Sequence, residues 1–271
     1  MEYKNKSYGK ERRRRDDDGR TARKIRENSV PDGIVAGRNA VRELLKSGQT
    51  IDKIMVSGRE GSVIPMIAEA KSRGIPVLDS DSAKLDYISC GAVHQGIVAY
   101  TAQKEYVSVE EIINIAHVRG EKPLIVIADG VEDPHNLGAL IRCAECAGAH
   151  GVIIPKRRST GLSATVAKAS AGALWHMAVA KVANIAETIE VLKKNGIWTF
   201  AAEAGGTAYY ETDFNLPCAV VFGSEGAGVA RLVRERCDFT VSIPMYGQVN
   251  SLNVSTAASV ILCHAARMQR T

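Results

Sequence analysis

The sequence has no uninterrupted apolar run approaching the roughly 20 residues that a membrane-spanning helix needs. Its opening residues, MEYKNKSYGKERRRR, also lack the apolar core of a secretory signal, so the expectation is a soluble, cytoplasmic protein without membrane contact. Cysteine is too thinly spread for a secreted scaffold: Cys90, Cys143, Cys146, Cys218, Cys237 and Cys263 are scattered through apolar contexts and read as reduced, mostly buried thiols. Cys143 and Cys146 form a CxxC, but no second pair or nearby histidine completes a zinc set, and no metal is expected. Internal repeats are absent as well. What these absences leave is an ordinary globular chain, 45% hydrophobic and 24% charged, with material for cores that need no staples.

At 271 residues the chain suits two domains, and the charge supports a boundary search. Residues 1–31 hold 11 Lys/Arg against 6 Asp/Glu, whereas the remainder is balanced, so the whole net charge of +5 sits in the tail. A disordered basic tail of this kind, with Arg12, Arg13, Arg14 and Arg15, can neutralise phosphates without reading sequence, or can act simply as a solvated segment. From residue 33 to 104 helix and strand patterns alternate. In GRNAVRELLKSG, Ala40, Val41, Leu44 and Leu45 recur at helical spacing, and IDKIMVS, residues 75–78 and QGIVAYTA read as strands. Residues 105–120 read as a connecting helix and linker. Across 121–271, near-continuous apolar strands (PLIVIAD, GVIIP, MAVAKV, WTFAAE, CAVVFG, FTVSIP) alternate with helices, among them 137–149, 163–174 and 253–270. That order indicates an α/β domain with a parallel sheet covered on both faces, whose ligands bind beyond the strand C-termini.

Three polar, glycine-containing segments interrupt this second domain at strand ends. In DGVEDPHNLGALIR, Asn136 is placed to cap the helix that follows, and Arg142, off the Leu137, Leu140, Ile141, Ala144 stripe, suits either a functional role or an i,i+3 pairing with Glu145. In FGSEGAGV, glycines let a ligand approach backbone around the single carboxylate of Glu225, although a turn with a glutamate at a helix N-terminus fits too. A nicotinamide-binding oxidoreductase would rest on GSEGAG alone; the turn comes late in its domain and no ribose-binding acid follows in VSIPM. The third segment, IPMYGQVNSLNVSTAASVIL, sets Ser251, Asn253 and Ser255 at alternate positions before an Ala-rich helix that Ser251 or Asn253 could cap.

Taken in order, NLGALIR, GSEGAG and IPMxGxVxSLNVSTAA resemble the three signature motifs of the SpoU branch of SPOUT-class RNA 2'-O-ribose methyltransferases. The resemblance spans about residues 123–271, and VAGRNAVRELL with HQGIVA at 94–99 is similar to the small α/β, ribosomal-protein-like RNA-binding domain that precedes the catalytic one. The subgroup that modifies guanosine in large-subunit (23S) ribosomal RNA is the nearest in pattern. The resemblance implies a trefoil-knotted sheet and S-adenosylmethionine as methyl donor, held by backbone and apolar groups around Gly223, Gly226, Ile243, Met245 and Leu252. It further implies that Asn136 and Arg142 hold the target ribose and phosphate, that Glu225 orients Arg142 or the donor, and that Ser251 and Asn253 shape the substrate pocket. Arginine stays protonated in proteins, so Arg142 is read as a fixed cation for the developing alkoxide instead of a general base. A homodimer is implied too, with Ala257, Ala258, Val260, Ile261 and Ala265 of the last helix as contact candidates. A tRNA ribose methyltransferase would share every one of these residues, and a non-catalytic RNA-binding assembly factor would be marked by a lost donor site.

Overall fold

Val126 and Ala128 face one way and Ile125 and Ile127 the other, yet all four are fully buried, so their strand must be covered on both sides. The computed structural model describes residues 30–271 apart from Asp32. The tail reading for 1–31 therefore concerns residues that, Val30 and Pro31 excepted, lie outside the described ones.

The N-terminal part builds a four-stranded sheet in the order β1-β4-β2-β3 from β1 (Ile34–Ala36), β2 (Ile51–Val56), β3 (Val77–Asp79) and β4 (Ile97–Thr101). Helices α1 (Arg38–Lys46), α2 (Val63–Ser72) and α3 (Ser82–Ile88) connect them. The apolar stripe of α1 buries Ala40, Val41, Leu44 and Leu45, as its spacing predicts. β1 and α3 were not legible from periodicity: one is three residues long, and the other buries Leu85 alone, its start fixed by the Asp81 carboxylate accepting from Lys84 N at 2.6 Å.

The C-terminal part is an all-parallel six-stranded sheet, β10-β8-β9-β5-β6-β7. Its strands are β5 (Leu124–Asp129), β6 (Gly151–Pro155), β7 (Val179–Val182), β8 (Trp198–Ala208), β9 (Cys218–Gly223) and β10 (Phe239–Ser242). α5 (Pro134–Cys146), α6 (Ala164–Ala169) and α9 (Val254–Arg270) cover one face, where Leu137, Ile141, Val166, Ala258 and Ile261 pack with Val126 and Ala128. α4 (Val109–Arg119), α7 (Ile185–Lys194) and α8 (Arg231–Arg236) cover the other, packing Ile112, Ile189, Leu192 and Val233 with Ile125 and Ile127.

Two expectations need correction. The connecting helix within 105–120 is α4, and it is a layer of the sheet rather than a free linker. It opens with a Ser108/Glu111 capping box, Val107 bridges Ala180 in parallel, and Gly151 has no room for a side chain because a Cβ there would meet Ile112 Cδ1 at 2.6 Å. The helix expected over 163–174 is broken after Ala169 and resumes as a 3-10 turn at Ala173–Trp175. At the break, Gly172 adopts φ 94° against α1, where an added Cβ would lie 2.5 Å from Glu43 Cβ, and Glu43 Oε2 sits 3.2 Å from His176 Nε2.

His150, at the foot of β6, is buried at 3% exposure; its Nδ1 accepts from Leu124 N at 3.1 Å and its Nε2 lies 2.9 Å from Glu121 Oε2. Protonating Nδ1 would set it against an N–H donor. Desolvation holds the imidazole below its ordinary value of 6.5, against the opposing pull of Glu121. A depressed pKa means the unfolded chain takes up the proton first, so this contribution is complete above about pH 6.5 and is lost as pH falls through the lower folded value. Unfolding midpoints should fall on going from pH 7.5 to 5.5, and His150→Gln should flatten that dependence; an unchanged slope in the variant would assign the acid sensitivity elsewhere.

Candidate active site

The loops at the C-terminal ends of β5 and β9 and the segment after β10 converge on one place. β9 ends at Gly223, and Ser224 N and Gly228 N each donate to the other residue's carbonyl, at 3.1 and 3.0 Å, closing a tight turn. Gly223 is demanded by close approach: a Cβ there would lie 2.0 Å from Gly228 C. Two carboxylates pin the exit of the turn. Glu203 Oε2 accepts from Val229 N at 2.9 Å, and Asp129 Oδ2 accepts from Ala230 N at 2.8 Å. Neither residue is a sequence-derived candidate; the available signal was a carboxylate at or just past the end of an apolar strand run, in LIVIAD and in WTFAAE. Gly223→Ala should force the turn open and cost about 1–3 kcal/mol, the usual range for overpacking, measured by urea unfolding. A variant as stable as the parent would mean the turn relaxes at no cost.

Asn253 is the hub. Its Nδ2 donates to Glu225 Oε1 at 2.5 Å and to Asn136 Oδ1 at 3.0 Å, while its Oδ1 accepts from Ser255 N at 2.9 Å and caps α9. Capping and bridging thus coexist in one amide. Asn136 itself is not the cap expected from sequence: α5 starts earlier, with Pro134, and Asp133 Oδ1 accepts from His135 N at 3.0 Å. Proline suits the first turn because its missing N–H would be unpaired there anyway, so the helix extends past Asn136 toward its N-terminus. Asn136, released from capping, is free to bond across to α9.

A cleft lies on each side of the glycine turn. One, of about 570 Å³, is lined by Asp129, Glu132, Asp133, Asn136, Arg158 and Glu225. The other, of about 580 Å³, is lined by Gly223, Gly226, Ile243, Met245, Ser251 and Leu252, with Ala202, Ala257 and Ile261 behind them. Glu225 and Asn253 belong to the partition between the two. Arg142 is the exception among the candidates: it is exposed, lines neither cleft, and pairs with neither Glu225 nor Glu145. Glu225 is bonded to Asn253 and not to Arg142, which leaves it the other expected role, orienting the donor. Cys143 Sγ lies 2.9 Å from Ser259 Oγ, and burial raises the Cys146 thiol above its ordinary value, so Cys146 is not an activated thiolate. Among the described residues, no group of three or more His, Cys, Asp or Glu is placed to hold a metal ion, and no helix is long and apolar enough to cross a membrane.

Residues 123–263, just over half the chain, match the family model described as the SpoU rRNA methylase family. The chain belongs to the SpoU methylase family. Residues 24–107 match a second model, for RNA 2'-O ribose methyltransferase substrate binding. A relative assigned to the TrmH family of tRNA/rRNA methyltransferases in Staphylococcus saprophyticus is 44% identical over 237 residues, covering 86% of this chain and 95% of the relative. YacO of Bacillus subtilis, with the same assignment, is 43% identical over 236 residues, covering 86% and 94%. The SpoU methyltransferase AviRb of Streptomyces viridochromogenes shares the fold at TM-score 0.73 and 23% identity, over 88% of this chain and 89% of that one. An AdoMet-bound rRNA methyltransferase of Sinorhizobium meliloti matches at TM-score 0.71 and 26% identity, over 86% of each chain. This SpoU protein is therefore an RNA 2'-O-ribose methyltransferase with a substrate-binding domain ahead of its catalytic sheet, and the oxidoreductase reading of GSEGAG falls.

Proposed function

We propose that this SpoU enzyme methylates the ribose 2'-hydroxyl of a guanosine in large-subunit (23S) ribosomal RNA, in the cytoplasm, as a homodimer. The observation that carries the methyl-transfer part of the reading is the pair of clefts meeting at one hydrogen-bonded partition, since group transfer needs two ligands held face to face; the 23S guanosine rests on the motif resemblance. The second cleft suits S-adenosylmethionine: Ile243, Leu252 and Ile261 offer apolar walls, and the glycine turn exposes backbone with open space at the Gly226 Cβ position. Bound there, the donor supplies an electrophilic sulfonium methyl, leaving the protein to orient the acceptor and ease loss of its proton. Gly223, Gly226, Ile243, Met245 and Leu252 would hold the donor and Ser251 would shape the pocket beside them. Asn136, Glu225 and Asn253 would fix the acceptor ribose at the partition, and Arg142, which lines neither cleft here, would grip phosphate and stabilise alkoxide as a permanent cation once RNA is bound.

Exposed apolar side chains before α9 support the homodimer: Tyr246 is 91%, Val249 72% and Leu252 42% exposed. The relatives' tRNA/rRNA assignment keeps tRNA as the second reading. Calorimetry should detect S-adenosylmethionine binding without added metal, and mapping of 2'-O-methyl groups in RNA from cells lacking the protein should show one guanosine of 23S rRNA losing its mark. A mark lost only from tRNA would shift the reading to the second substrate; no donor binding at millimolar concentration would remove the cleft assignment.

A further inference from the structure

The acceptor cleft presents an anionic strand with four carboxylates, those of Asp129, Glu132, Asp133 and Glu225, and one cationic lining residue, Arg158. Three of the carboxylates already accept internal hydrogen bonds, from Ala230 N, His135 N and Asn253 Nδ2, so their oxygens are partly committed to holding the loops. Phosphates entering here are repelled from the floor and drawn to the rim, where Arg158 stands exposed. Its backbone is left-handed, φ 55°, a conformation that side-chain-bearing residues rarely adopt and that recurs where a ligand is clamped. The loop that carries it is fastened at both ends, by Lys156 N to Val182 O at 2.7 Å and Thr160 N to Val131 O at 3.4 Å. No ion pair among the described residues engages the Arg158 guanidinium.

The wall of this cleft leads to another. Asn136 lines the acceptor side, and its neighbour His135 lines a separate cleft of about 400 Å³. On one side of that cleft lie Cys90, Gly91 and Ala92 of the substrate-binding domain, and on the other Thr165 and Lys168 of α6. Its lining has two basic side chains, His135 and Lys168, and no carboxylate, the reverse of the acceptor cleft. Lys168 is exposed and forms no ion pair among the described residues.

We propose that the acceptor RNA strand runs from the methylation cleft over His135 into the cleft between the substrate-binding and catalytic domains, with its phosphates held by Arg158 and Lys168. This rests on the ribosomal or transfer RNA reading above and extends it to a path. Small residues at Gly91, Ala92 and Ala169 leave room for a sugar-phosphate backbone, and unstacking the target nucleotide lets its ribose reach Asn136 while the flanking strand stays bound. The two cations position the strand and carry no base readout; choice of nucleotide comes from which strand the paired domains can admit.

The test measures binding of a fluorescein-labelled fragment of 23S ribosomal RNA by the full chain at several salt concentrations, for Arg158→Ala, Lys168→Ala and the double variant. Each phosphate contact removed should lower the slope of log affinity against log salt by about 1, and the double variant should bind roughly tenfold more weakly. Lys194→Ala, an exposed cation on α7 over the opposite face, should change neither. S-adenosylmethionine affinity and the unfolding midpoint should match the parent in all variants, which separates lost contacts from lost folding. An unchanged salt slope in the double variant, a Lys194→Ala effect of equal size, or no RNA binding by the parent chain would overturn the path. Because the readout is binding, loss of methyl transfer by the parent would strike the proposed function and leave this result standing.

Discussion

Arg142→Ala is expected to lower methyl transfer about 10²- to 10³-fold, the range seen when one preorganised electrostatic donor is removed from a transition state, with donor affinity and unfolding midpoint unchanged. The side chain is exposed and makes no ion pair among the described residues, so its loss leaves no partner charge buried. Arg142→Lys should recover little, because an ammonium point charge cannot reproduce a planar fork that meets two phosphate oxygens at once. Single-turnover methylation of a 23S fragment, with donor calorimetry alongside, separates the outcomes. An equal fall in donor affinity would assign Arg142 to donor binding instead. Full activity would leave the reaction to the residues that do meet in this structure, Asn136, Glu225 and Asn253.

Much of the fold was legible because burial patterns are local. The run LIVIAD announces a strand covered on both faces, and the Ala40, Val41, Leu44, Leu45 stripe announces α1. What escaped depended on contacts between distant residues. α4 looked like a connection because only three dimensions show Ile112 filling the space that Gly151 vacates. Asn136 looked like a cap because asparagine is a good one; Asp133 with Pro134 supplies an earlier start that relieves it of the task. The motif residues were found, but their connections were not. Asn253 reaches Glu225 across 28 residues and Asn136 across 117, separations at which spacing carries no information, and Glu203 and Asp129 earn their place only through backbone amides they hold at the turn.

Asn253 is where helix stability and site geometry are coupled, and two substitutions should pull them apart. Asn253→Ala removes the side-chain oxygen that accepts from Ser255 N and the amide that bridges Asn136 and Glu225. It should cost about 1 kcal/mol of stability as a lost N-cap and, by freeing the Glu225 turn from α9, about 100-fold in methyl transfer through misplacement. Asn253→Asp keeps an acceptor at the cap, and its charge favours the N-terminus of a 17-residue helix, so the cap's own contribution to α9 should be retained. Activity should nevertheless fall as far, because the donor that met Glu225 Oε1 at 2.5 Å becomes a second carboxylate. Two carboxylates at that distance cannot both stay ionised cheaply, and the pair should hold a shared proton as pH falls. Protonation restores a donor between them, so the Asp variant, unlike the Ala variant, should regain activity relative to the parent on moving from pH 8 toward pH 5. Urea unfolding and methylation rates across that range read both effects. If Asn253→Ala destabilised the chain but methylated RNA at the parental rate, the amide would be a helix cap and the partition between the clefts would have no part in the reaction.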